Sequence, residues 1–105
     1  MQRVCFSFEI FPGQAAEYRR RHDEIWPELV ADITAAGLSN YSLFRLGEDR
    51  IVAYVECEPD AATCFGALVD SDANRRWAEW FKDVIVSLTD DQGNLHTLEE
   101  VWHLD

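Results

Sequence analysis

Residues 2–11 alternate, with Val4, Phe6, Phe8 and Ile10 on one side and Cys5, Ser7, Glu9 and Phe11 on the other. Period two is the pattern of a strand. Pro12-Gly13 ends it, and the period then changes. Between Gln14 and Ala36, the residues Tyr18, His22, Ile25, Trp26, Leu29 and Ile33 share an arc about 100° wide on a helix. Arg19, Arg20, Asp23, Glu24 and Glu28 lie elsewhere around the cylinder. The pattern predicts one long helix stopped at Gly37. Pro27 has no N–H for the carbonyl of Asp23, which predicts a kink between them.

Asn40–Leu46 and Ile51–Cys57 read as two strands joined into a hairpin by Gly47-Glu48-Asp49-Arg50. Asp60 suits the cap of a short helix whose Ala61, Cys64, Phe65, Leu68 and Val69 share a face. After Asp70–Asp72 a third helix is predicted, with Trp77, Phe81, Val84 and Leu88 in one stripe and Trp80 at its edge. Asp90–Asn94 is a polar loop, and His96–Leu104 is predicted as a closing strand with Leu98, Glu100, Trp102 and Leu104 on one face.

The order β-α-β-β-α-β places the chain in the α+β class, as a ferredoxin-like sandwich with helices on one face of an antiparallel sheet. The first strand is apolar on both faces, so a second copy of the sheet is the expected cover. A face-to-face homodimer follows. With no internal repeat or linker, residues 1–105 are expected to form a single domain.

Charge narrows the partners. Nine Lys and Arg against twenty Asp and Glu leave a net charge of −11. Such a surface repels phosphate backbones and anionic membranes, so neither nucleic acid nor a membrane is expected as a partner. No apolar run has the roughly 18–20 residues needed to span a bilayer, and the N-terminus lacks a signal peptide's pattern. Cys5, Cys57 and Cys64 are odd in number and without CxxC spacing, which reads as reduced thiols in a cytoplasmic protein.

A histidine in an apolar stripe requires an account. Burying its ring nitrogens without partners costs on the order of 1–3 kcal/mol each. Either His22 is a hydrogen-bonded core residue, or it lines a pocket between helix and sheet. Tyr18 lies one turn before it, so both side chains can reach one small ligand. Imidazole near neutral pH can give and take a proton. Tyr41 is a third candidate, or an ordinary strand aromatic. Trp77 and Trp80 suit either the core or a flat wall for the C–H face of a sugar. His96 and His103, seven apart in one predicted strand, point to opposite faces, and no metal site is expected. Glu28, Asp32, Glu56 and Glu58 read as solvated carboxylates. No dinucleotide, phosphate or nucleophile-elbow motif is present.

The run from Tyr18 to Glu28 (Tyr-Arg-Arg-Arg-His-Asp-Glu-Ile-Trp-Pro-Glu) resembles the signature helix of the L-rhamnose mutarotase family. Asn40-Tyr41-Ser42-Leu43-Phe44, Arg76-Trp77 and Leu98–Leu104 are similar to further segments of that family, in the same order. The resemblance spans essentially the whole chain. It implies a dimeric α/β barrel, no cofactor, and interconversion of the α and β anomers of a 6-deoxy-L-sugar, L-rhamnose before L-fucose. Carried over by position, His22 is the proton donor, Tyr18 and Tyr41 bind the sugar, and Trp77 shapes the pocket. The family's usual second Trp is replaced by Ala78, which implies a wider pocket at that sugar-binding position, or a pocket filled by Trp80 from the next turn. A cofactor-free monooxygenase or a non-catalytic sugar-binding module are the competing readings on this fold.

Overall fold

In the computed structural model, which describes residues 1–105, a sheet carries all its helices on one face. Its strands are β1 (Gln2–Ile10), β2 (Leu38–Leu46), β3 (Arg50–Cys57), β4 (Ile85–Ser87) and β5 (His96–Thr97). They run in the order β2-β3-β1-β4, with β5 beside β4 on the same edge of β1. All the pairings are antiparallel. The helices are α1 (Ala15–Asp23), α2 (Pro27–Ala35), α3 (Ala61–Val69) and α4 (Asp72–Trp80), followed by a 3₁₀ turn, Phe81–Asp83. This is the ferredoxin-like arrangement expected from the pattern.

The alternation in β1 and β3 decides which way the sheet faces. Val4, Phe6, Phe8 and Ile10, with Ile51, Ala53, Val55 and Cys57, are all buried under the helices. Arg3, Cys5, Ser7, Val52, Tyr54 and Glu56 occupy the other face. Gly37 closes α2 with φ +96°, and a Cβ there would sit 2.2 Å from the carbonyl oxygen of Glu58. Only glycine lets the two chain segments meet. Asp60 caps α3 as expected, its carboxylate accepting from Thr63 N–H at 2.8 Å.

Three expectations are corrected. The long helix is two helices, because the chain at Trp26 is extended (φ −67°, ψ 130°) and Pro27 opens α2. Proline is tolerated at the first helical position, where its missing N–H costs nothing, so a fresh start replaces the kink. The third helix stops at Trp80, and Ile85–Ser87 pairs with β1 as a strand, so Leu88 lies beyond a strand rather than on a helix. The closing strand shrinks to His96–Thr97 opposite Phe6–Ser7. After Leu98 N–H reaches the Cys5 carbonyl, the tail forms no further backbone ladder with β1. Arg3 holds it through Glu100 and His103, while Val101, Trp102 and Leu104 stay 86%, 76% and 74% exposed.

Candidate active site between helices and sheet

A cavity of about 650 Å³ lies between the inner sheet face and the helices. Tyr18, His22, Tyr41 and Trp77 all line it. Its remaining walls are largely apolar, among them Phe6, Phe8, Leu29, Ile33 and Phe65, with Thr34, Ser39, Asn74 and Thr89 as further polar residues. The segment after β4 contributes Leu88, Thr89, Gly93 and Leu95.

His22 is brought here by the last turn of α1, and its ring is fixed from several sides. The ring lies 4.3 Å from that of Tyr18, tilted by 31°, and packs edge-on with Trp77 and Phe81 at 5.3 and 5.2 Å. Its Nδ1 lies 2.9 Å from the Tyr18 carbonyl oxygen. A carbonyl only accepts, so Nδ1 carries the proton and donates it. In the neutral ring, Nε2 is therefore the free acceptor. Burial pushes the His22 pKa below its ordinary 6.5, against smaller opposing contributions from the Tyr18 carbonyl and Asp23. At pH 7 the ring is a base with one available lone pair.

The two tyrosines are set in the opposite sense. Burial raises the Tyr18 hydroxyl well above the ordinary phenol range, and the nearby Tyr41 raises it further. Burial also pushes the Tyr41 hydroxyl up to about 12, with Cys57 adding a little. Tyr41 as a whole is 38% exposed and lines the cavity. Both phenols remain protonated at neutral pH and are hydrogen-bond donors.

Tyr41 faces the cavity because β2 is irregular. Ser39 pairs with Glu56 and Ser42 with Tyr54, so Asn40 and Tyr41 together stand opposite Val55. Such a bulge re-aims side chains. Asn40 adopts φ +47°, a left-handed conformation that asparagine tolerates better than most residues.

The aromatic wall behind His22 is tied down by Arg21, the one charged residue in the buried set, 6% exposed. Its guanidinium donates to Glu17 at 2.7 Å, to the Trp80 carbonyl at 2.7 Å and to both Asp83 oxygens at 3.1 Å. It also lies over the rings of Trp80 and Phe81 at 4.7 and 5.3 Å. Hydrogen bonds from Arg20 and Arg21 lower the Glu17 pKa to about 2, and the Arg21 bonds hold Asp83 below the usual carboxylate range.

Two expected contributors lie elsewhere. Ala78 is exposed on α4 and does not border the cavity. Trp80 does not fill in for the missing indole: it stacks on Trp26 at 5.6 Å, nearly parallel at 12°. Trp26 leaves the His22 stripe because it sits outside both helices, and its edge packs on Trp77 at 5.1 Å. Arg21 and Asn40 were absent from the expected site. The signals for them were weak: an arginine beside an apolar stripe, and an asparagine where Leu38 and Leu43 fall out of phase. Glu56 is more than a solvated carboxylate, since it accepts from Asn40 and from Tyr54, each at 2.8 Å.

A family model described as L-rhamnose mutarotase matches residues 3–104. The chain belongs to the L-rhamnose mutarotase family. The L-rhamnose mutarotase of Acidiphilium cryptum is 39% identical over 105 residues, covering 99% of both chains. That of Oceanobacillus iheyensis is 32% identical over 106 residues, covering all of both. A crystal structure of L-rhamnose mutarotase from Formosa agariphila superposes with a TM-score of 0.79 over 100% of each chain, at 24% identity, and supports the fold. Membership in this mutarotase family makes the chain an isomerase.

Proposed function

We propose that residues 1–105 form one catalytic unit that interconverts the α and β anomers of L-rhamnose, with His22 as the proton-transfer group and Tyr18, Tyr41 and Trp77 as sugar contacts. The observation that carries this reading is the His22 clamp: Nδ1 is committed to the Tyr18 carbonyl at 2.9 Å, leaving Nε2 as the single proton acceptor. In ring opening, Nε2 takes the proton of the anomeric hydroxyl. The freed electron pair forms the C1=O1 bond, and the C1–O5 bond breaks. O5 receives a proton from a tyrosine hydroxyl, or from a water that the hydroxyl holds. The aldehyde turns about C1–C2, and in closure O5 adds to the other face of C1, its proton returns to the tyrosine or water that gave it, and His22 returns its proton to O1. His22 is thus the base of opening and the donor of closing, as microscopic reversibility requires. Trp77 offers a flat apolar wall to the C–H face of the ring, and the aliphatic walls suit a 6-deoxy methyl group.

The sheet's uncovered face supports a homodimer. Val101, Trp102 and Leu104 stand almost bare on a tail that Arg3 anchors, and a second copy is the expected cover. No helix is long and apolar enough to cross a membrane. The unpaired Cys5, Cys57 and Cys64 fit a cytoplasmic location.

Proton NMR exchange between anomers, run separately on L-rhamnose and L-fucose, tests the reading. Protein-dependent cross-peaks with L-rhamnose support it, and exchange with L-fucose alone reassigns the substrate. Saturable binding without exchange returns the chain to a sugar-binding role.

A further inference from the structure

The bulge in β2 connects the two faces of the sheet. Leu38 opposes Cys57, and Leu43 opposes Ala53, so both face inward with their partners. Ser39 opposes Glu56, and Ser42 opposes Tyr54, so both pairs share the outer face. Strict alternation from an inward Leu38 would turn Tyr41 and Leu43 outward. One extra residue corrects the phase, and Asn40 supplies it in the left-handed conformation, φ +47°. Its side chain is then anchored on the outer face, where Nδ2 donates to Glu56 Oε2 at 2.8 Å. Tyr54 Oη donates to the same oxygen at 2.8 Å, fixing the carboxylate.

We propose that Asn40 is a positioning residue: held by Glu56 and Tyr54 on the outer face of the sheet, it keeps the bulge that aims Tyr41 into the cavity. The proposal rests on Tyr41 being a sugar contact. Asn40 does not line the cavity, so its whole effect passes through the residue that follows it. Three properties matter together: tolerance of positive φ, a donor that reaches Glu56, and a neighbour whose direction depends on strand phase. A β-branched residue at 40 fails the first two. Glycine meets the first and lacks the second.

A double-mutant cycle in kcat/KM for rhamnose anomer exchange tests this, with circular dichroism confirming the fold of each variant. Asn40→Val is expected to lower kcat/KM about tenfold, the worth of one well-made contact. Asn40→Gly is expected to stay within about threefold of the parent, because the left-handed backbone survives. Glu56→Ala, which leaves the backbone untouched and guards against misfolding of Asn40→Val, is expected to cost about threefold. Repeated in a Tyr41→Ala background, each change is expected to cost less than about twofold, since there is no side chain left to aim. Undiminished losses in that background overturn the proposal, as does an Asn40→Gly protein as poor as Asn40→Val. If Tyr41→Ala alone leaves kcat/KM unchanged, the failure lies in the reading of Tyr41, and the proposal goes with it.

Discussion

The two faces of one sheet divide the work of this molecule. On the inner face, β1 and β3 present an unbroken set of buried apolar side chains, and the helices stand off far enough to leave a cavity containing His22 and two tyrosines. On the outer face the same strands show Tyr54, which donates to Glu56, and Arg3, which holds a tail whose large apolar residues face solvent. Both faces come from alternate positions of the same segments. The difference teaches that alternation fixes where a core goes, while departures from it fix where chemistry goes. The inner face becomes a site only where the pattern breaks, at the α1–α2 junction and at the Asn40 bulge.

The sharpest way to break the comparison is to empty the inner face of its proposed proton carrier. His22→Ala is expected to slow enzyme-catalysed anomer exchange by about 10²-fold or more with the fold kept. An unchanged rate in a folded His22→Ala protein removes His22 from the reaction. Arg21→Met comes next. It strips hydrogen bonds from a nearly buried group and leaves exposed carboxylates that rehydrate, so a cost of about 2 kcal/mol is expected. A melting curve would show this as a fall on the order of 10 °C. The rate per folded molecule should fall as well, because Arg21 lies over Phe81, which packs against the His22 ring.

The dependence on pH sharpens the account of the inner face. The folded protein holds His22 below 6.5, so its base form persists at neutral pH. The rate should be flat through pH 7 and fall about tenfold per unit only below the lowered pKa. The same depression acts on stability. The unfolded chain binds the proton first, so the His22 contribution is complete above 6.5 and is lost as pH falls toward the folded value. Phe81→Ala, by admitting water, should move the rate midpoint up toward 6.5. A midpoint that stays put would separate the pKa from that wall. The smallest catalytic effect is expected on the outer face. If the proposed homodimer forms through this face, Trp102→Glu should give a monomer in light scattering while changing the rate per chain less than about twofold.

Much of this was legible in the residues. Period two gave β1, β3 and the inner face, and Tyr18 and His22 one turn apart pointed to two residues that line the cavity. What stayed hidden depends on how segments meet. Pro27 is compatible with a kink or with a new helix, and only the packing of Trp26 on Trp77 and Trp80 decides between them. The tail from Leu98 onward has the composition of a strand, but after its bond to the Cys5 carbonyl it is held by the side chain of Arg3 rather than by a backbone ladder, which composition does not reveal. Arg21 reads as one of three consecutive arginines. Its burial follows from Asp83 and the Trp80 carbonyl, which are distant in sequence.

The indole cluster gives the molecule an optical property. Of the four tryptophans, Trp26, Trp77 and Trp80 touch one another beside the imidazole, and only Trp102 stands apart. Once Trp102 is replaced by phenylalanine, all remaining indole emission originates in the cluster around Trp77, the tryptophan that lines the cavity. Protonation of His22 at the edge of Trp77 then becomes an event that light can follow. The protein therefore carries its own reporter, able to time sugar entry and proton movement without an added dye.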